Sequence, residues 1–196
     1  AAIYSNDSVI KGQQALTHKG SLAERFNGAR QIFTQQLLEE IFSFDEIDVA
    51  VNTLSYHINE HKDKLNNDGI KWIENLKSDF SADKKVGLKF IAQVATLMKE
   101  EPVIEKNEAL QKRINAAANH FESKLTVYKQ SIQNHPLITE SRETANAINE
   151  YLNQLIVSVS VTNYFLEYCK EPFSVASFLQ HKLKFAQPRF NLSCYA

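Results

Sequence analysis

The chain has 196 residues, of which 43% are hydrophobic and 23% charged, and its formal net charge is −1. These values are typical of a globular protein that buries a core without disulfide staples. The balanced charge excludes a general attraction to nucleic acid or to an anionic membrane, and leaves room only for a local basic patch.

Glycine, proline and cysteine are scarce, at 5, 4 and 2 residues. Strand-rich proteins need many turns, so this scarcity favours a few long helices. Cys169 and Cys194 form neither a disulfide framework nor a zinc pattern, and we expect Cys169 in the core. With no secretory signal and no long apolar run, the sequence predicts a cytoplasmic protein without a membrane span.

Two capping boxes mark helix starts in the first third of the chain. Ser21 is followed by Glu24, and Ser43 by Glu46, so each serine and glutamate can satisfy the other's backbone N–H. The two helices that they open are expected to meet at a tight corner, Phe42–Phe44, and to pack against each other.

The middle of the chain shows a turn signal and two apolar patterns. Residues 66–69 (Asn-Asn-Asp-Gly) predict a turn. Helical apolar spacing follows over 72–80 and 88–98, with 81–85 as either a break or a bend. Pro102 ends the segment, because a residue before proline is pushed out of helical geometry.

The longest helical patterns are 107–133 and 145–169, which we expect to pack as closest partners at the centre of the fold. A β-branched stretch in the second pattern is also compatible with a β-strand, but the helical period on both flanks favours a helix. Ile156, Val157 and Val161 lie beside its apolar seam and predict that it is covered on more than one side. The seam itself is Ala145, Ile148, Leu152, Leu155, Val159, Thr162, Leu166 and Cys169.

The predicted fold is an all-α antiparallel bundle of about six to eight helices. It forms one domain over 1–196, with 1–20 (including a short helix within 5–16) and 186–196 as peripheral segments. The chain begins Ala-Ala-Ile without an initiator methionine, so we expect it to be a fragment of a longer protein.

One motif suggests metal chemistry. His57, Glu60 and His61 follow the H-x-x-E-H order of inverted zinc peptidases. Two histidines four residues apart on a helix can share zinc, Glu60 could act as base, and Glu140 is a formal third ligand. The alternative, which we favour, is that His61 continues an apolar stripe and His57 lies at its edge. No cofactor is predicted.

The C-terminal segment suggests nucleic acid. It has no acidic residue over 176–196, and its candidate contacts are Lys182, Lys184, Arg189 and Phe190. Cations mixed with aromatic rings suit single-stranded nucleic acid. The same pattern suits a helix end that docks on its own core, with lysines favoured by the helix dipole, and we favour that interpretation.

Two stretches carry a family resemblance: 37–44 (LLEEIFSF), and a second that runs from 117–121 (AANHF) through 136–142 (PLITESR) to Tyr151. They resemble the helical region that follows the motor domains of bacterial superfamily-one DNA helicases of the petite-integration-frequency type, over about 21–185. No phosphate-binding G-x-x-x-x-G-K loop occurs in the chain. The resemblance implies an accessory domain without motor activity, and it implies no particular functional residue.

The predicted function is therefore a non-catalytic accessory or interaction domain. Its expected partners are a helicase motor, another protein or DNA, and it is not expected to be an enzyme on its own. Direct nucleic-acid binding through the C-terminal segment and a zinc-dependent hydrolase at the histidine motif are the alternatives.

Overall fold

The computed structural model describes residues 22–139, 141–170, 173–174 and 176–184. Within these ranges the chain is helical and has no strand, apart from an isolated antiparallel bridge between Leu65 and Ile138. The all-α prediction is confirmed. None of the helices in these ranges is long and apolar enough to cross a membrane. The long helices are α1 (Leu22–Phe42), α2 (Asp45–Glu60), α3 (Asn67–Glu100), α4 (Glu108–Gln133) and α5 (Arg142–Tyr168).

Short elements join and follow these helices. Single 3₁₀ turns precede α3 (Lys62–Lys64) and α4 (Ile104–Lys106), and residues 176–184 are helical. The five long helices of the described ranges are fewer than the six to eight predicted. The main reason is that 81–85 neither breaks nor ends α3, which runs unbroken for 34 residues. The short helix expected within 5–16 lies outside the described residues.

The predicted turn at 66–69 is instead the start of α3. Asn66 is the N-cap residue, and its side-chain oxygen accepts a hydrogen bond of 2.6 Å from the Gly69 N–H. Asparagine favours turns and N-caps for the same reason, because its side chain satisfies a nearby backbone donor. The turn prediction is therefore wrong, although it rests on the same property of asparagine that makes Asn66 an N-cap residue.

The corner between α1 and α2 differs from the prediction. The Ser43–Glu46 capping box does not form, because Phe44 is the N-cap residue and no side chain caps the helix. Phe44 adopts a left-handed backbone (φ 56°) and packs edge-on against Phe121, with ring centroids 4.8 Å apart. Burying this ring offsets the strain of about 1–2 kcal/mol. Ser21 of the other predicted box lies outside the described residues.

This sharp corner sends the two helices to different partners. The prediction that α1 and α2 pack against each other is wrong: α1 packs mainly on α3, whereas α2 packs on α3 and α5. At the crossing, Gly87 of α3 lies directly against the carbonyl oxygen of Phe42. The corner therefore packs against α3 and does not bring α1 and α2 together as a hairpin would.

Helix α5 is central, as predicted, and α4 is its most extensive partner. The side chains of its seam from Ile148 to Cys169 are buried, and Ala145 is half-buried. The pair is antiparallel, because Asn163 of α5 bonds Thr126 while Asn115 of α4 bonds the backbone of Lys170. The helix is covered on more than one side, as predicted, by α4 and α2, but Val157 itself is 50% exposed.

Candidate functional site

The histidine motif lies at the end of α2, and its two rings have different settings. His57 stacks on Tyr151 of α5, with centroids 3.8 Å apart and planes at 12°. His61 is the residue that caps the end of the helix, one position beyond Glu60. Among the described residues no three His, Cys, Asp or Glu side chains are grouped to hold a metal ion, and Glu140 lies outside them. The ring stack accounts for His57 as a packing residue.

The predicted nucleic-acid residues are not equivalent in the structure. The Lys182 ammonium pairs with the Glu40 carboxylate of α1. It also lies over the rings of Phe165 and Phe178, 5.5 and 5.9 Å from their centroids. Lys184 is exposed to solvent. Arg189 and Phe190 lie outside the described residues, so their role stays a prediction.

The same segment is held by a second polar contact. The Tyr164 hydroxyl lies 2.6 Å from Nδ1 of His181, and Phe178 is fully buried against Phe165 and Tyr168. Residues 176–184 therefore dock on the C-terminal half of α5. This geometry supports the docking interpretation of the segment, at least for Lys182.

A buried polar network links α3 and α4, and the sequence patterns do not predict it. The Asp83 side chain is only 6% exposed and accepts a hydrogen bond of 2.7 Å from the Lys124 ammonium. It also accepts one from the Tyr128 hydroxyl. Burial first, and then the Asp83 carboxylate, raise the pKa of Tyr128 above its ordinary value. Each polar group in the network has a hydrogen-bond partner, which is consistent with a structural role in holding α3 and α4 together.

A groove of about 750 Å³ runs between the outer faces of α2 and α5. Its apolar floor includes Val49 of α2 and Val157 of α5, which are 64% and 50% exposed. The helices run antiparallel here, because the groove joins residues 45–53 of α2, which precede His57, to residues 150–158 of α5, most of which follow Tyr151, while His57 stacks on Tyr151. Side chains of α2 and α5 therefore line one open groove, in which Val49 and Val157 are exposed to solvent.

The rim of this groove is acidic. Asp45, Glu46 and Glu150 line it, and the remaining lining residues are uncharged. Lys84 of α3 reaches Asp45 from one end at 3.0 Å, and the hydrogen bond from this ammonium to Asp45 raises the pKa of Lys84. Glu46 and Glu150 are exposed and form no ion pair within the described ranges. The groove can therefore bind an apolar surface that carries positive charge.

Sequence reasoning missed this groove for a definable reason. Val157 lies in a long apolar run beside the seam, and such a run predicts cover rather than exposure. A usable signal was the polar spacing around it, since Glu150 and Gln154 lie seven and three residues before it on one helical face. Val49 has Glu46 three residues before it in the same way, so each valine interrupts a polar face.

Comparison with known proteins identifies the family. The chain matches the model of a DNA helicase middle domain over residues 25–193. No curated protein and no solved structure matches the chain. The family match confirms the resemblance to a helical accessory region of a DNA helicase. The chain belongs to the DNA helicase middle-domain family.

Proposed function

We propose that this chain is a non-catalytic accessory domain of a DNA helicase, and that it acts by contacting the helicase motor or another protein. The observation that carries the proposal is the family match over 25–193. The motor would supply ATP hydrolysis from elsewhere in the helicase, in the cytoplasm, and this domain would position or regulate it.

The distribution of charge on the surface favours contact with protein over contact with DNA. The α2–α5 groove exposes valines inside an acidic rim, and carboxylates repel phosphates. The charge of Lys182, a predicted DNA contact, is paired with the Glu40 carboxylate. Exposed apolar groups rimmed by charge are typical of protein-binding surfaces.

The proposal is tested with the helicase that contains this domain. Binding of the separately produced motor to the isolated chain is measured by calorimetry, and binding of single-stranded and duplex DNA by fluorescence anisotropy at low and moderate salt. We expect the chain to bind the motor, to hydrolyse no ATP and to bind DNA weakly. ATP hydrolysis by the chain alone, or tight salt-sensitive DNA binding without motor binding, would contradict the proposal.

A second measurement reports on function in the intact enzyme. ATPase and unwinding rates are compared between the helicase and a version whose 22–184 segment is replaced by a flexible linker of adequate reach. We expect the linker version to keep nucleotide binding and to lose the coupling of hydrolysis to unwinding. Unchanged coupling would show that the domain has no accessory role.

A further inference from the structure

We propose that the α2–α5 groove is the docking site for an amphipathic helix of the partner protein, with an apolar stripe flanked by lysine or arginine. The inference rests on the proposed function and names the chemistry of the partner. It is carried by the shape of the groove, the exposure of its two valines and the charge of its rim, in that order.

The shape of the groove fits one face of a helix. Its α2 side extends over residues 45–53, which corresponds to a length of about 12 Å at the rise of an α-helix. Apolar side chains at positions i, i+3 or i+4, and i+7 of a docked helix span about 10.5 Å. The groove is open along its length, whereas a small-molecule site encloses most of its ligand.

The two valines of the groove are exposed, unlike the apolar residues next to them in the sequence. Ile47, Val51 and Leu54 of α2 are buried, while Val49 on the opposite face is exposed. On α5, Leu155 and Val159 are buried and Val157 between them is exposed. The two exposed valines meet across one groove, so a single partner helix would cover both.

The rim charge determines which helix fits. Glu46 of α2 and Glu150 of α5 both line the groove without an ion pair in the described ranges, and no lysine, arginine or histidine lines it. A helix with basic residues beside its apolar stripe would pair with both sides at once. Lys84 already pairs with Asp45, so Glu46 and Glu150 are the carboxylates that would select the partner.

Other occupants fit the same surface less well. Nucleic acid would bring phosphates against the carboxylates. A second copy docked groove to groove about a twofold axis would bring Glu46 and Glu150 of both copies together. A strand would need an exposed sheet edge, and the described part of the chain has no sheet.

The test uses two synthetic helical peptides that share a leucine stripe and differ only in their flanking residues, lysine in one and glutamate in the other. Each is titrated against the folded full chain by fluorescence anisotropy. We expect the lysine peptide to bind at least tenfold more tightly than the glutamate peptide, with the difference shrinking as salt rises. Equal binding of the two peptides would overturn the proposal.

Groove variants locate the binding. The double substitution Glu46→Lys and Glu150→Lys should weaken the lysine peptide about tenfold and strengthen the glutamate peptide. The neutral pair Val49→Ser and Val157→Ser should weaken both peptides. Two exposed positions away from the groove serve as matched controls, Glu74→Lys on α3 and Val127→Ser on α4, and neither should change binding. An equal loss from these controls would overturn the proposal.

The natural occupant is identified in the intact helicase by a photo-crosslinking residue at position 157. We expect a crosslink to a helical, lysine- or arginine-rich segment of the motor or of a bound protein. A crosslink to DNA, to a second copy, or to residues 1–20 or 186–196 of the same chain would overturn the proposal and assign the groove to that occupant.

The outcomes separate this inference from the proposed function. If the groove variants bind the lysine peptide and the motor as the unaltered chain does, and still couple hydrolysis to unwinding, the groove assignment fails and the accessory role stands. If the unaltered chain neither binds the motor nor affects coupling, the accessory role fails, whatever the peptides do.

Discussion

Gly87 shows how a single missing side chain allows three helices to meet. A Cβ atom at this position would lie 2.1 Å from the carbonyl oxygen of Phe42 and 3.2 Å from the Phe44 ring. The nearer atom is backbone, so it cannot move aside as a flexible side chain would. A glycine within a 34-residue helix costs about 1 kcal/mol relative to alanine, but the close crossing leaves no space for a Cβ atom at this position.

We therefore expect Gly87→Ala to lower the free energy of unfolding by about 2 kcal/mol, because the clash outweighs the gain in helix propensity. Urea denaturation followed by circular dichroism measures the change. The control is Ser78→Ala, an exposed position on the same helix, which should be neutral or slightly stabilising. A stabilised Gly87→Ala variant would show that the crossing is looser than described.

Tyr128 should make stability depend on alkaline pH. Burial and the bond to Asp83 raise its pKa in the folded chain above the ordinary value of 10.0. The folded chain thus keeps a proton that the unfolded chain releases. The resulting stabilisation is fully present below pH 10.0 and is lost as the pH rises toward the folded pKa.

The measurement is the free energy of unfolding between pH 8 and 11 for the wild type and for Tyr128→Phe. We expect the wild type to lose more stability over the alkaline part of this range than the variant, although the variant is less stable at neutral pH because its bond to Asp83 is gone. Parallel pH profiles would mean that Tyr128 titrates normally.

At the scale of one helix, α5 allows the same substitution to be compared on two faces. Val159 is fully buried in the seam, whereas Val157 is half exposed in the groove. Val159→Asp would place an unpaired charge in the core, and we expect it to cost about 4 kcal/mol or more and to abolish cooperative unfolding. Val157→Asp should leave thermal melting almost unchanged. Similar melting of the two variants would show that α5 is not oriented as described.

The 176–184 segment offers a second matched pair. Lys182 pairs with Glu40 and lies over two aromatic rings, whereas Lys184 is exposed. We expect Lys182→Ala to lower stability by about 1 kcal/mol and Lys184→Ala to have little effect. Chemical denaturation of both variants measures this. If instead both substitutions leave stability intact and weaken DNA binding equally, the segment is a nucleic-acid surface.

The elements differ in how far the sequence could predict them. The buried face of α5 followed from its three-four spacing, because the period of an α-helix fixes which side chains share a face. The Phe44 corner could not be predicted, since its left-handed backbone is held by packing on Phe121, 77 positions later in the chain. The α2–α5 groove depends on how two distant helices pair, which local spacing does not encode.

At the scale of the whole molecule, one contiguous core extends through all five long helices. Phe42 from the corner packs on Phe90 of α3 and Phe121 of α4, and Val159 brings α5 to the same core. Asn107 ties the two ends of the connection between α3 and α4, since its side chain bonds Leu97 O and the Leu110 N–H. A partner helix in the outer groove would therefore dock on a preformed surface rather than complete an unfinished fold.

This architecture predicts that the chain unfolds as one cooperative unit. Trp72, the only tryptophan, is half-buried, and its indole N–H donates to Ser131 Oγ at 2.8 Å across α3 and α4. Its fluorescence therefore reports on one helix pair, while circular dichroism at 222 nm reports on all helices. Because the core is shared, we expect both signals to give the same urea midpoint and slope. The control is Val127→Ser at an exposed position, for which the two midpoints should still agree. If fluorescence and circular dichroism gave different midpoints, the chain would consist of parts that unfold independently.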